Sequence, residues 1–244
     1  MTFEGGDMRT FVQKWPNRYG VVTAIIVTGV IAGCRSVDPA VKRSEQTTDV
    51  LVDTRQSLVI GEQSVARSQD TLKTLRESKG DLRPAFALYM AELDAIRKEA
   101  DRLKRESEVV RGQATLYCTA RKHDISTISN DDMRRVAEQR TQRVREQCDD
   151  INERYARVNN AFGTYIRNLS DLQTYLANEL NYGALDSGQR WFDEALTAGE
   201  MLRTHIRGLA LQVELTSNIL SPVPVATTHW PNAVQPPDAV AERP

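Results

Sequence analysis

Three cysteines, three histidines and a few adjacent acidic pairs are the residues of this 244-residue chain whose types carry chemistry. Cys34 closes an uncharged, largely apolar run, and Cys118 and Cys148 lie in the polar middle of the chain. In an oxidising compartment Cys118 and Cys148 form a candidate disulfide. Closing a loop of ~30 residues would stabilise the fold by about 3–4 kcal/mol in the chain-entropy model. A turn near Thr127 sets Cys118 level with residues near 136, short of Cys148, and Cys148 occupies an apolar seam position where a reduced thiol packs as a small hydrophobe. A bridge would need residues 122–143 to loop out or form a short extra helix. His123, His205 and His229 lack a second histidine or a cysteine at strong metal-ligand spacing; His123 and Cys118 make only a weak pair. No metal or other cofactor is expected. Asp131 with Asp132, and Asp149 with Asp150, are sequence neighbours that point to different sides of a helix. The first pair suits a helix N-terminus, and the second a solvated face. The chain carries no glycine-rich phosphate loop, nucleophile elbow or His-Glu-x-x-His pattern. No enzyme activity is expected.

At the N-terminus, Arg9, Lys14 and Arg18 precede the uncharged run 19–32, and Ile31, Ala32 and Gly33 lead directly into Cys34. A basic region, a short apolar region and a small-residue cleavage site describe a secretory signal. The run is shorter than the roughly 20 residues of a spanning helix. An aliphatic residue, two small residues and cysteine resemble the lipobox of bacterial lipoproteins. That resemblance implies diacylglyceryl transfer to the Cys34 thiol and cleavage between Gly33 and Cys34, usually with acylation of the new amine. The segment 1–33 is then a signal peptide, and two or more acyl chains hold the mature protein at a membrane. Arg35 and Ser36 follow, and the absence of Asp at the second mature place implies the outer membrane in a two-membrane host. Glu4 and Asp7 dilute the basic region, so a start at Met8 gives a more regular signal than Met1. The alternative is an uncleaved signal anchor with Cys34 as a bystander.

The rest of the chain must position these groups, and its pattern is helical throughout. Breakers are scarce in the middle, because six of the nine prolines (222, 224, 231, 236, 237 and 244) lie near the C-terminus. Asp38 and Pro39 open a first helix to about Ser78, where Lys79 and Gly80 stop it. Leu51, Leu58, Val65 and Leu72 recur every seven residues, beside a mostly small row of Thr54, Gly61, Ser68 and Leu75 that suits close helix approach. Residues 81–84 open a second helix whose apolar positions, among them Tyr89, Leu93, Ile96, Leu103 and Val110, alternate by four and three. Residues 122–130 break that seam, and Ser129 with Asp132 resembles a capping box. A third helix is expected over about 131–181, with Cys148, Tyr155, Phe162 and Tyr165 on its seam; Asp186 or Ser187 caps a fourth that ends near Leu220. Such 3-4 spacing is the signature of knobs-into-holes packing.

These seams imply an all-α fold: an elongated antiparallel bundle of about four long coiled-coil-like helices over 34–220, followed by an extended proline-rich tail over 221–244. The shape is faintly similar to uncharacterised coiled-coil families of the bacterial envelope, which imply no reaction. A net charge of −1, with 32 basic and 33 acidic residues, gives no electrostatic reason to expect nucleic acid. The expected partners are the membrane, through Cys34, and envelope proteins or further copies of the chain, for which the bundle is a scaffold. The alternative is a periplasmic sensor or binding bundle holding a small apolar ligand between helices, near Tyr89, Tyr155, Phe162 and Tyr165.

Overall fold

Apolar side chains at 3-4 spacing leave each helix with one stripe to hide, and four such stripes close on one another. The structure, a computed structural model, describes residues 39–221 and contains five helices there: α1 (Pro39–Glu77), α2 (Arg83–Ser126), α3 (Asp131–Asn178), the short α4 (Tyr182–Ser187) and α5 (Gln189–Leu220). No strand occurs among the described residues. α1 packs on α2 and α5, and α3 packs on the same two, so the four long helices form an antiparallel four-cornered bundle. At 1.5 Å per residue, the 48 residues of α3 extend roughly 72 Å.

The seam residues form one continuous core. Leu58, Val65, Leu72, Leu93, Ile96, Leu103, Ile151, Val158, Leu202, Ile206 and Leu209 are completely removed from solvent. Burying each such side chain contributes about 1.5–3 kcal/mol of favourable transfer energy before entropy is subtracted. The small row of α1 is buried as well, at Thr54, Gly61, Ser68 and Leu75.

Helix ends follow local chemistry. After α1, Gly80 takes φ of 99°, a left-handed conformation that suits glycine best. At α2, Pro84 sits in the first turn, where its missing N–H costs nothing. The start of α3 differs from the capping box expected at Ser129 and Asp132: Asn130 is the cap, its side-chain oxygen accepting from the Met133 N–H at 3.0 Å. Asn130 is extended and directly precedes the first helical residue, so its side-chain oxygen lies one step closer to the free N–H groups than the Ser129 hydroxyl. The residues expected to end the third helix instead build α4. Asn181 caps it by accepting from the Ala184 N–H at 2.9 Å, and Gly188 then opens α5 without a side-chain cap, where Asp186 or Ser187 was expected.

Both described chain ends lie at one end of the bundle. The Ser44 hydroxyl donates to the Leu220 carbonyl at 2.5 Å, and Arg43 pairs with Asp124 near the end of α2. At the opposite end the Tyr182 hydroxyl donates to the Gly80 carbonyl at 2.7 Å and Arg76 pairs with Asp193 at 2.9 Å, tying the two connections together.

Glycines inside the helices separate packing from propensity. A Cβ at Gly163 or Gly112 would meet nothing within 4 Å, whereas one at Gly199 would lie 2.8 Å from the Gln69 amide nitrogen and 3.0 Å from two of its carbons. Gly163→Ala is therefore expected to stabilise the fold by about 0.5–1 kcal/mol through helix propensity alone. Gly199→Ala must displace a buried, hydrogen-bonded glutamine and is expected to destabilise. Thermal unfolding followed by circular dichroism tests both signs, and a stabilising Gly199→Ala would contradict this packing.

Candidate functional site

Cys34 and Gly33, the expected acylation and cleavage residues, lie outside the described residues, as do the apolar run 19–32, His229 and the proline-rich segment from Pro222. Among the described helices none is long and apolar enough to cross a membrane.

Cys118 and Cys148 are both half-buried free thiols. No segment loops out between them: α2 runs through Ser126 and α3 begins at Asp131. They are nonetheless near enough for Cys118 to affect the Cys148 thiol, while Arg145 and Asp149 act on Cys118. Tyr117 and Val144 line one cavity, so Cys118 sits further along α3 than a simple reflection about Thr127 suggests. Helical Cα–Cβ bonds tilt toward the N-terminus, so in these antiparallel helices the two side chains lean toward each other along the bundle axis. Burial, then the Cys118 thiol and Asp149, push Cys148 up to about 12, and burial raises Cys118 as well. Both groups therefore remain thiols at neutral pH, which suppresses nucleophilic or metal-ligand behaviour.

His123 and His205 are exposed and separated, one in the last turn of α2 and one on the flank of α5. Among the described residues no group of three or more histidine, cysteine or acidic side chains converges to hold a metal ion. Asp131 and Asp132 occupy the first turn of α3 and pair with Arg134 and Arg135; Asp150 pairs with Arg154 at 3.0 Å.

Tyr89, Tyr155, Phe162 and Tyr165, the aromatic residues around which an internal ligand would sit, belong to the packed core and are each at most 2% exposed. Tyr89 donates to the Leu169 carbonyl, and Tyr165 shares a 2.7 Å hydrogen bond with Ser68 of α1. The Tyr155 hydroxyl lies beside Thr54 but has no hydrogen-bond partner of proper geometry. Burial is the leading cause that raises all three phenols, Tyr165 to about 12.

A second polar cluster escaped the sequence reading. Glu62 of α1, 6% exposed, accepts from Arg203 at 2.7 Å and from Arg207 at 2.5 Å, both on α5. Two turns along, the Gln69 amide donates to the Leu196 carbonyl at 2.9 Å. The available signal was the pair Arg203 and Arg207, four apart on one helix face, but nothing in the sequence of α1 names their partner. At the end of the bundle that carries α4, Tyr175 and Trp191 meet edge to face at 4.8 Å beside Asp171 and Glu194, around a cavity of about 340 Å³.

No protein-family model, curated protein or solved structure matches the chain. The geometry itself offers a packed, mostly apolar core with buried polar contacts, two neutral thiols and a mixed-charge surface.

The buried hydroxyls and thiols give a pH dependence with a definite sign. Their folded forms hold protons that the unfolded chain releases near the ordinary values of 9.0 for cysteine and 10.0 for tyrosine. Stability from these groups is present below about pH 9 and falls as pH climbs toward 12, because the folded state then binds more protons than the unfolded one. Urea unfolding between pH 8 and 11 checks this, and a flat profile would refute it. Tyr155→Phe removes an unpaired buried hydroxyl, so it should be stabilising by roughly 1 kcal/mol at pH 7 and lessen the alkaline loss. Tyr165→Phe breaks the Ser68 bond and should destabilise.

Proposed function

We propose that the chain is a lipid-anchored, non-catalytic protein of the bacterial cell envelope, whose helical bundle serves as a scaffold and interaction surface facing the periplasm. The observation that carries this reading is the antiparallel topology, which returns Pro39 and Ser221 to the same end of the bundle. Cys34 precedes Pro39 by five positions, a reach of at most roughly 17 Å when extended. Acylation at Cys34 would therefore tether that end to the membrane surface and leave the opposite end free for partners. The free end offers a suitable surface, with Trp191 at 44% and Tyr182 at 51% exposure. Aromatic side chains of this kind are enriched at the energetic centres of protein interfaces. Along α5, Leu211, Leu215 and Ile219 are also exposed at four-residue spacing and supply an apolar stripe for a second copy or another envelope protein. Residues 1–33 act as the signal peptide, and Arg35 and Ser36 direct the mature chain to the outer membrane where the host has two membranes.

Metabolic labelling with palmitate, intact-mass analysis and membrane fractionation of wild type and Cys34→Ala test the anchor. The wild type is expected to carry label, to begin at Cys34 and to sediment with membranes. Cys34→Ala is expected to lose the label and retain its leader. An unlabelled wild-type chain that keeps Met1 or Met8 overturns the anchor.

A further inference from the structure

The end of the bundle that holds both described termini contains a second feature, which does not depend on acylation of Cys34. α5 stops at Leu220, and where its stripe ends a cavity of about 270 Å³ opens between α1, α2 and α3. Its walls are apolar at Val144 and Leu220, each 6% exposed, with Val41 and Ile219 at the more exposed rim. Three arginines line it, Arg121 from α2 with Arg140 and Arg143 from α3, and no carboxylate does. Nor does any of the three form an ion pair among the described residues: the acids three places along from Arg121 and Arg143 are already engaged, Asp124 by Arg43 and Glu146 by Gln142.

Two of these arginines converge on the same polar point. Tyr117 is half-buried in the cavity wall, its phenol raised first by burial and also by Cys118, with Arg121 and Arg140 acting the other way. Like charges that face one cavity repel, and a bound anion would relieve that repulsion. Guanidinium forks match phosphate oxygens in a bidentate manner, whereas the Ser44 hydroxyl is already committed to the Leu220 carbonyl.

We propose that this cavity binds the phosphate group of an anionic amphiphile, with Arg121, Arg140 and Arg143 around the phosphate and Val144 and Leu220 against a short apolar substituent. The volume admits a phosphate ester and a few carbons and excludes a complete phospholipid. Two sources fit that chemistry: a free phosphate monoester, or the head region of an anionic membrane lipid whose tails stay in the bilayer.

Calorimetric titration of the full-length Cys34→Ala chain in nonionic detergent tests this, with hexyl phosphate, dihexanoyl phosphatidylglycerol and neutral hexanol as probes. At least one of the two phosphates is expected to bind, and hexanol to bind at least tenfold more weakly. Arg140→Gln and Arg121→Gln should each weaken phosphate binding tenfold or more with unchanged helical melting, while Arg157→Gln, elsewhere on α3, leaves it intact. Binding of hexyl phosphate alone assigns the site to a soluble ester, and binding of the lipid assigns it to the membrane; either supports the phosphate site. Absence of both, equal binding of hexanol, or titrations unaltered in both Arg140→Gln and Arg121→Gln would overturn it.

Discussion

Every long helix in this bundle carries an apolar stripe that cannot remain in water, and mutual coverage of four such stripes is the constraint on which the rest depends. The seam of α1 at Leu51, Leu58, Val65 and Leu72 repeats at strict seven-residue intervals and is at most 3% exposed. A repeat of seven drifts against the 3.6-residue turn of a straight helix, so helices that keep such seams in contact wind about one another. With both neighbours of each helix antiparallel, short connections suffice: Thr127 to Asn130 joins α2 to α3, and a single left-handed glycine helps turn α1 into α2. α1 is the least apolar partner, since its inner face includes Thr47, Thr54, Ser57, Ser64 and Ser68. Small residues there let neighbouring helices approach, and several of the hydroxyls are bonded, as Ser57 is to Glu106 and Ser68 to Val65 and Tyr165.

Apolar seams of uniform spacing leave register underdetermined, because sliding one helix by a heptad restores nearly the same contacts. The buried ionic cluster between α1 and α5 removes that freedom. Glu62 meets Arg203 and Arg207 only in the observed register; displaced by a heptad, it would be a buried carboxylate without a partner, at a cost of several kcal/mol. Gln69 reinforces the same alignment by donating to Leu196 and occupying the space left open by Gly199. Across the other face of α1, Arg102 of α2 donates to the Ser57 carbonyl at 2.9 Å and pairs with Glu99, while Glu106 accepts from the Ser57 hydroxyl at 2.8 Å. The polar contacts thus select one alignment among several that hydrophobic burial would accept nearly equally.

That division explains how much was legible in the sequence. Periodicity is a property of one helix at a time, so the bounds of α1, the seams of α2 and α3 and the antiparallel bundle class could be read directly. Gly80 was legible because only a stop signal explains glycine between two strong seams. Pairwise facts were harder to read. Nothing local distinguishes Glu62, buried against two arginines, from the exposed Gln63 beside it. Nor could spacing alone reveal that Cys118 and Cys148 lie within electrostatic reach of each other. α4 was missed because six residues are too few to show a period, and Asn130 outcompeted Ser129 as a cap through backbone conformation, which composition does not encode. The expected acylation site at Cys34 lies outside the described residues, and the legible part of it is the four-residue pattern itself.

The two ends of the bundle differ in chemistry because they differ in construction. Where α4 turns the chain, loops and exposed aromatic rings meet, and Tyr182 closes the seam by reaching Gly80. At the other end, among the described residues, α5 ends at Leu220 while α2 and α3 run on, and a cavity opens beside that end. Apolar wall and arginines meet there, and the two together make an amphiphilic cavity without any dedicated loop. Arg121, Arg140 and Arg143 thus bring positive charge to this end of the bundle, beside the residues at which the described chain begins.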